Sequence, residues 1–351
     1  MPRPTAKASD SAAAVGRNEG VGADDRPPRV SVGLIVYEGE RYLESSIDSY
    51  LRQTFTDFEL IVSDNGSTDG TERIALAKAA ADRRVRYVRS ERNRGVAWNL
   101  NNAFALARGE YFAWASHDDL QTPEFLERAL AVLEADPTVV YAYAPTYLMD
   151  DDGRVYAREA NRFTLGADSP NRRFWEQLIV RGGQNFWGLH RVSTLQQVGR
   201  LGSTPWGERV MFGELSLRGR FAVVPGTSFY WRRQDGLPAA YSPRRNVVAF
   251  DPDGPAWRRI RPALLTRYVA ELIAAIQRTP LPIGERLRCY ARLGRWMLSH
   301  VPGFALRDPR SRDIVVIPVD GIDPVVQPAT PSAGGQEPAL TDAPGAPSST
   351  G

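Results

Sequence analysis

Between residues 29 and 144, short apolar segments alternate with longer segments in which apolar residues recur every three or four positions. The short segments are typical of strands and the longer period is typical of helices. The pattern predicts strands over Arg29–Val36, Phe58–Ser63, Val85–Arg89, Glu110–Ala115 and Val139–Ala144, and helices over Arg41–Gln53, Asp69–Ala81, Val96–Ala107 and Pro123–Ala135. This alternation predicts an α/β fold with a doubly wound, mostly parallel central sheet.

The fourth predicted helix has a recognisable beginning. Thr122 is suited to accept hydrogen bonds from its first backbone N–H groups, Pro123 to the first helical position, and Glu124 to the positive end of the helix dipole. The helix is therefore expected to begin just after Asp118 and Asp119.

Beyond residue 145 the alternation is lost, which favours an α+β half appended to the sheet. Asp150–Gly153 is predicted to be a hairpin turn. Helices are predicted near 171–180 and 207–218, with strands over Phe186–His190 and Phe221–Val224. Two amphipathic helices are then predicted over 262–277 and 284–298.

These patterns divide the chain of 351 residues into one principal domain and its extensions. We assign 1–28 to a disordered tail, 29–235 to the principal domain with halves at 29–145 and 146–235, 236–310 to a lid loop and basic helical extension, and 311–351 to a mostly disordered tail. The tails are rich in small and polar residues and lack periodic hydrophobicity.

The net charge of +3 conceals a basic segment. Residues 257–310 contain eleven arginines and three acidic residues, a net charge of +8, so the rest of the chain carries −5. This asymmetry indicates an anionic partner for the segment, and an anionic membrane surface is the expected one. The alternative is that its apolar stripes pack on the principal domain or on a second subunit as a homodimer, with the arginines in solvent. No nucleic-acid partner is expected.

The chain contains one cysteine, Cys289, which excludes an internal disulfide framework and a clustered thiolate metal site. It contains no uninterrupted apolar segment of about 18 residues and no apolar segment near its beginning that resembles a signal peptide. We therefore expect a cytoplasmic protein, peripheral on the inner face of the cell membrane if the basic segment binds lipid.

Polar residues cluster at the carboxyl ends of the predicted strands, where open α/β sheets bind their ligands. They lie in Val36–Gly39, Ser63–Gly70 and Ser116–Asp119. The alternative is that these residues serve only turns and helix caps, which favour the same residue types.

Asp118 and Asp119 follow an apolar strand and offer hard oxygen ligands for Mg²⁺ or Mn²⁺, which take one or two carboxylates and complete their shell with phosphate oxygens and water. As an alternative, both are solvated loop acids. No Gly-x-Gly-x-x-Gly follows the first strand and no Gly-Lys-Ser/Thr P-loop occurs, which disfavours dinucleotide-binding and P-loop proteins.

A series of segments in order resembles family 2 glycosyltransferases of the GT-A fold. The resemblance covers about residues 30–235 and implies a nucleotide-binding half at 29–145 and an acceptor half at 146–235. It is carried by Val32–Leu43, Gln53–Thr71, Arg92–Gly95, Ala107–Tyr111 and His117–Asp119, and more loosely by Phe186–Arg191 and Gly207–Glu208.

The resemblance implies roles for individual residues. Asp64 would accept from the base of the nucleotide, Asp118 would bind the metal with Asp119 as a secondary ligand, and Glu208 would be the general base, which is usually Asp in the family. The nucleotide-binding set would be Val36, Tyr37, Glu38, Asp64, Asn93, Gly95, Ser116 and His117.

The chain departs from the family pattern at three further points. Glu38 stands where Asn is common, Ser116 where the first metal-binding acid is common, and Asp235 where a His often follows paired arginines. Arg232 and Arg233, which precede a polar, glycine-bearing loop, are candidate diphosphate contacts; the alternative is a solvated loop.

The implied function is inverting transfer of a sugar from a nucleoside-diphosphate sugar to a hydroxyl of a glycan or lipid-linked acceptor, in the synthesis of a cell-surface polysaccharide or glycolipid. Two other classes remain open. One is a non-catalytic nucleotide-sugar-binding protein of the same fold, suggested by the departures at Ser116, Glu208 and Asp235. The other is a nucleotidyltransferase, although the basic glycine-rich phosphate loop expected of that class is absent.

Overall fold

The computed structural model describes residues 26–159, 166–179, 186–202, 206–233, 261–304 and 316–322. Its strands are β1 (Val30–Val36), β2 (Phe58–Asp64), β3 (Val85–Arg89), β4 (Tyr111–Ser116), β5 (Leu120–Gln121), β6 (Val139–Tyr143), β7 (Thr146–Met149), β8 (Val155–Glu159), β9 (Leu189–Arg191), β10 (Arg220–Val223), β11 (Phe229–Arg232) and β12 (Val316–Ile322). Its helices are α1 (Leu43–Leu51), α2 (Thr71–Ala81), α3 (Val96–Ala105), α4 (Phe125–Ala135), α5 (Pro170–Ile179), α6 (Val192–Leu195), α7 (Gly207–Arg218), α8 (Arg261–Arg278) and α9 (Ile283–Phe304).

Seven strands form the central sheet in the order β10-β6-β9-β4-β1-β2-β3. The pairs β1–β2, β1–β4, β2–β3 and β10–β6 are parallel, and β9 is antiparallel to both β4 and β6. The predicted α/β fold with a mostly parallel sheet is confirmed. Because strands β1, β2 and β4 are buried on both faces, their sequences are nearly continuous apolar segments.

The second half of the domain is less separate than the sequence pattern indicated. Strands β9 and β10 complete the central sheet, and a second sheet forms in the order β12-β8-β7-β11-β5. The hairpin turn between β7 and β8 is confirmed, with Gly153 at φ +82° and a hydrogen bond from its N–H to the carbonyl of Asp150. The second sheet was not predicted because its strands are short and take their pairing from distant segments.

The structure describes some residues at the inner ends of both predicted tails. Arg26 forms an ion pair of 2.8 Å with Asp57, and β12 pairs antiparallel with β8 although its sequence contains a proline and a glycine. Tertiary pairing orders these residues, and their composition gives no local sign of it. The predictions for 1–25, 311–315 and 323–351 lie outside the described residues.

Helices cover both faces of the central sheet. One apolar cluster joins the sheet to α1, α2 and α4, and a second joins the other face to α3, α6 and α7. The predicted C-terminal helices are confirmed as α8 and α9. Their buried side chains, including Leu272, Ile276 and Trp296, pack with Phe174 of α5 and Val210 of α7 in a third cluster. One apolar face of each therefore packs on the domain, as the packing alternative predicted.

The beginning of α4 differs from its prediction. The helix begins at Phe125, and the hydroxyl of Thr122 accepts from the N–H of Ser228 across the molecule. The side chain of Gln53 supplies the cap: its oxygen accepts from the N–H of Leu126 at 2.9 Å, and its nitrogen donates to the carbonyl of Thr122 at 2.8 Å. A residue 73 positions away satisfies the helix end, so local spacing was a poor guide.

His190 on β9 is fully buried among Trp114, Tyr141 and Phe212. Neither of its ring nitrogens has a hydrogen-bond partner among the described residues. Burial lowers the pKa of His190 from 6.5 to about 3, because the imidazolium would lose its hydration without compensation. The folded protein therefore keeps this ring neutral at a pH where the unfolded chain takes up a proton.

We expect His190 to weaken folding as pH falls below 6.5, since a depressed folded-state pKa favours the unfolded state on acidification. The loss is about 2 kcal/mol between about pH 7.5 and pH 5. Urea unfolding of wild type and His190→Leu at both pH values measures it, because other titrating groups cancel in the difference between the two proteins. Equal losses on acidification in both proteins would contradict the prediction.

Candidate active site

The carboxyl ends of three adjacent strands meet in register at one edge of the central sheet. Val36 at the end of β1 lies opposite Asp64 at the end of β2, and Ile35 lies opposite Ser116 at the end of β4. The loops that follow these strands therefore emerge side by side. We call residues 36–39, 64–70, 93–95 and 116–119 the rim, and it contains every nucleotide-binding residue predicted from the sequence.

The loop after β1 is tied to the loop after β2 by Glu38. Its N–H donates to the hydroxyl of Ser67 at 2.9 Å, and its carboxylate accepts from the N–H and hydroxyl of Thr68, each at 3.0 Å. Glu38 also has a positive φ of +53°. The departure from the family's usual Asn thus has a structural use here, while Tyr37 beside it is 44% exposed and open to a ligand.

Asp64 is fully buried behind the rim. One carboxylate oxygen accepts from the N–H of Ser67 at 2.9 Å and from its hydroxyl at 2.6 Å, and the other accepts from the hydroxyl of Tyr87 at 2.7 Å. Arg89 lies 3.5 Å away. Asp64 therefore stabilises the loop after β2, and its contact with a nucleotide base stays a prediction.

Asn65 connects the loops after β1, β2 and β3 and was missed from the sequence. Its N–H donates to the carbonyl of Val36, its side-chain nitrogen donates to Asn93 at 2.9 Å, and its side-chain oxygen accepts from the N–H of Arg94 at 3.0 Å. Asn93 also accepts from the N–H of Gly95, which has a φ of +91°. An Asn directly after a strand-end Asp was the available signal.

Residues 116–119, at the end of β4 and just after it, differ in burial. Ser116, His117 and Asp118 are half-buried, whereas Asp119 is 3% exposed. The hydroxyl of Ser116 donates to the carboxylate of Asp118. His117 lies against the loop after β1, because a Cβ added to Gly39 would come within 2.9 Å of its ring.

Asp119 makes a structural contact inside the protein. Its carboxylate accepts from the N–H of Arg232 at 2.9 Å inside the protein. Burial raises the pKa of Asp119 well above its ordinary value, the charge of Asp118 raises it further, and the hydrogen bond from Arg232 opposes both. Asp119 thus joins β11 to the rim, and its role as a secondary metal ligand stays a prediction.

Asp118 is the half-buried metal-ligand candidate after β4. The described residues contain no group of three or more His, Cys, Asp or Glu side chains placed to hold a metal ion. A single half-buried carboxylate nevertheless fits Mg²⁺ or Mn²⁺ when the remaining ligands are phosphate oxygens and water. The donor set therefore fits a metal that arrives together with a diphosphate.

The two candidate phosphate-binding arginines also separate. Arg232 is 6% exposed; its Nε donates to the carbonyl of Asp118 and one terminal nitrogen donates to the carbonyls of Asp150 and Asp151. These contacts give Arg232 a structural role, and its contact with a diphosphate stays a prediction. Arg233 is half-buried with its guanidinium over Trp231, and the same prediction applies to it. Asp235 and the following loop lie outside the described residues.

Glu208 occupies the first turn of α7. Helix α7 leads directly into β10 and packs back on that strand, since Phe212 contacts Phe221. The first turn of α7 therefore lies towards the carboxyl end of β10, and also of β6, because β10 and β6 are parallel. Strands β4 and β6 run in the same direction, since both are antiparallel to β9. Glu208 thus lies at the same end of the sheet as the rim.

Glu208 is close to Tyr268 of α8. Burial raises the pKa of the Tyr268 phenol, the guanidinium of Arg209 opposes that shift, and the charge of Glu208 adds to it. Glu208 is half-buried, which suits a group that exchanges protons with a ligand.

Glu214 of α7 is a fully buried structural acid. It forms ion pairs of 2.9 Å with Arg218 and 2.6 Å with Arg278. Its oxygen also accepts from the N–H of Gly199. Glu214 therefore joins α7 to α8, further along α7 than Glu208.

A cavity of about 600 Å³ lies between the first half of α3 and helices α7 and α8. Arg94 and Trp98, whose side chains stack with 4.6 Å between guanidinium and ring, line it on the α3 side, and Val210 lines it on the α7 side. The cavity therefore extends from the loop after β3 towards the turn that carries Glu208.

Residues 31–196 match the family Glycosyl transferase family 2. EpsE of Bacillus subtilis (strain 168), provisionally named a glycosyltransferase, is 42% identical over 108 residues, 30% of this chain and 39% of EpsE. An uncharacterized glycosyltransferase of Rickettsia typhi is 39% identical over 124 residues, 35% of this chain and 38% of that protein. Chondroitin synthase of Escherichia coli is 32% identical over 136 residues, 39% of this chain and 20% of the synthase.

The matched part spans less than half of the length of each of these relatives. Among solved structures, S. aureus TarS 1–349 superposes with a TM-score of 0.56 at 17% identity over 80% of this chain and 75% of that chain. The same protein in complex with UDP-GlcNAc gives 0.56 at 18% identity over 80% and 76%. These likenesses show the fold, which is GT-A.

Proposed function

We propose that this protein is an inverting glycosyltransferase that moves a sugar from a nucleoside-diphosphate sugar to an acceptor hydroxyl. One observation carries the proposal: in a domain that matches family 2, the rim brings an accessible tyrosine, an ordered loop and the partly exposed carboxylate of Asp118 to a single edge of the sheet. That edge is where open α/β sheets bind ligands.

The rim residues divide the work of holding the donor. Tyr37 is exposed beside the end of β1 and offers a surface for the base, while Glu38, Asp64 and Asn65 fix the loops against which the nucleoside would rest. The backbone of Val36, and Asn93, Gly95, Ser116 and His117, complete that surface. This preformed network lowers the ordering cost of binding the nucleotide.

Asp118, with the phosphate oxygens of the donor, would hold Mg²⁺ or Mn²⁺. When bound, such an ion supplies neutralisation of the charge that builds on the departing diphosphate. Arg233 adds a cationic contact near the same site. The hydroxyl of Ser116, donating to Asp118, keeps that carboxylate oriented.

Glu208 would act as the general base. The acceptor oxygen attacks the anomeric carbon as the bond from that carbon to the diphosphate oxygen breaks, and Glu208 accepts the proton of the attacking hydroxyl. Attack from the face opposite to the leaving group inverts the configuration at the anomeric carbon.

The acceptor is proposed to be a glycan or a lipid-linked sugar, and the cavity between α3 and α7 is its proposed entrance because its lining includes Arg94 of the rim and Val210, which follows Glu208 in the first turn of α7. The named relatives support polysaccharide synthesis as the setting, since one of them is a chondroitin synthase. A non-catalytic nucleotide-sugar-binding protein is the second candidate, favoured by the observation that one partly exposed carboxylate remains where the family commonly has two.

A panel of UDP-, GDP- and other nucleotide sugars, measured by thermal shift with and without Mn²⁺, tests the donor site. A bound donor is expected to raise the melting temperature by mass action. Release of nucleoside diphosphate from the stabilising donor then tests catalysis. Stabilisation without release, even with acceptor sugars added, would favour the binding protein, and no stabilisation by any donor would contradict both candidates.

A further inference from the structure

Helix α9 has two apolar faces. Cys289, Leu293 and Trp296 are at most 4% exposed and pack towards α5 and α8. On the other side, Ile283 is 71% exposed, Leu287 60% and Leu298 84%. Packing on the domain explains the first face only.

The exposed residues form a continuous stripe. At about 100° per residue, Ile283, Leu287, Ala291, Gly294 and Leu298 fall within an arc of about 80°, on the side of the helix roughly opposite to the buried residues. Ala291 is exposed, and a Cβ added to Gly294 would meet no atom within 4 Å. We call these five residues the outer stripe, and nothing in the described parts of the chain covers it.

Arginines border the outer stripe on both sides. Arg288 and Arg295, both exposed, lie on one side, and Arg286 lies on the other, where it is half-buried and donates to the carbonyl of Thr279 at 3.3 Å. Between residues 283 and 299, four arginines stand against the single acid Glu285, a net charge of +3. The side chain of Arg288 is 66% exposed even though it is paired with Glu285.

We propose that the outer stripe lies in the interfacial layer of an anionic membrane, with the bordering arginines at the level of the lipid phosphates. A lipid surface matches both properties of the face, because apolar side chains enter the acyl boundary while cations meet anionic headgroups. No described helix is long and apolar enough to span a bilayer, so α9 would lie along the surface.

A second copy of the chain is the competing occupant, and the charges disfavour it. In a two-fold interface the same patch meets itself, so the arginines of one copy would approach those of the other with one acid per copy to offset them. Anionic lipids instead supply the complementary charge. The proposed surface does not depend on the transferase activity, because α9 lies apart from the rim in sequence and in packing.

Co-sedimentation of the full chain with phosphatidylcholine vesicles, with and without phosphatidylglycerol, tests the proposal. Wild type is expected to pellet with the anionic vesicles at low salt and to be released at high salt, because screening weakens the attraction of exposed charges. Leu287→Glu/Leu298→Glu is expected to lose at least about tenfold in the bound fraction at limiting lipid, since charged side chains replace the inserted ones.

Leu76→Glu is the matched control, because Leu76 is a leucine of α2 that is 48% exposed on another part of the surface. It should bind vesicles like wild type, and equal melting temperatures of the three proteins would show that the fold is intact. The proposal is overturned if wild type fails to pellet with anionic vesicles. It is also overturned if light scattering shows a dimer that the double variant, but not the control, converts to monomer while vesicle binding stays negligible.

Discussion

Replacing Glu208 by Gln is expected to slow sugar transfer by about 10²–10⁴-fold while leaving donor affinity nearly unchanged. Glutamine keeps the size of the side chain and removes its ability to accept the proton of the acceptor hydroxyl. Because Glu208 lies in the first turn of α7 and not in the rim, the donor loops should be undisturbed. Single-turnover transfer and calorimetric donor binding separate the two effects.

Two further variants sharpen this test. Glu208→Asp restores the residue that is usual in the family and should recover a large part of the rate. Asp48→Asn changes a half-buried acid on α1 that is paired with Lys78 and lies outside both the rim and the cavity, and should leave transfer within a few-fold of wild type. Turnover of Glu208→Gln within a few-fold of wild type would mean that Glu208 serves only the helix end and that another group removes the proton.

Replacing Asp118 by Asn is expected to abolish the contribution of Mn²⁺ to nucleoside-diphosphate binding. The amide keeps the shape of the side chain but is a poor ligand for a hard divalent cation. The loss of affinity in Mn²⁺ should be at least the roughly 10–100-fold that outer-shell partners of metal sites commonly contribute. Titration calorimetry with and without Mn²⁺ measures it.

The neighbouring acid supplies the control for this experiment. Asp119→Asn removes a carboxylate one position away, but Asp119 is buried, and its raised pKa shows that its surroundings favour the neutral form. Its oxygen accepts from the N–H of Arg232, and an amide oxygen can accept the same hydrogen bond. Metal-dependent affinity should therefore survive in Asp119→Asn. If Asp118→Asn keeps that affinity as well, the rim does not bind the metal through this acid.

The adjacent acids also show where sequence reasoning ends. Apolar strands followed by polar residues were enough to locate the rim, since β1, β2 and β4 are continuous apolar segments and their ends must meet in a parallel sheet. Asp118 and Asp119 look equivalent in the sequence. Their difference arises from β11, more than 100 residues later, because the backbone N–H of Arg232 donates a hydrogen bond to Asp119.

The same limit applies to the helix and strand predictions that needed correction. Gln53 caps α4 from 73 residues away, and β12 exists because β8 offers a free edge. Neither contact produces a periodic pattern of apolar residues in the sequence, whereas the amphipathic helix α9 does. Even there, the pattern could not show that the helix has a second, outward apolar face.

Arg232 has a consequence for protein engineering. Its guanidinium donates hydrogen bonds to the carbonyls of Asp118, Asp150 and Asp151. This one side chain therefore connects the hairpin between β7 and β8 to the turn that contains the proposed metal ligand. A chimaera that exchanges the second half of the domain between relatives would lose these hydrogen bonds unless β11 and the hairpin come from the same parent. The natural unit of exchange therefore includes residues 146–159 and 229–232, and a crossover between them should misplace Asp118 even though no rim residue has changed.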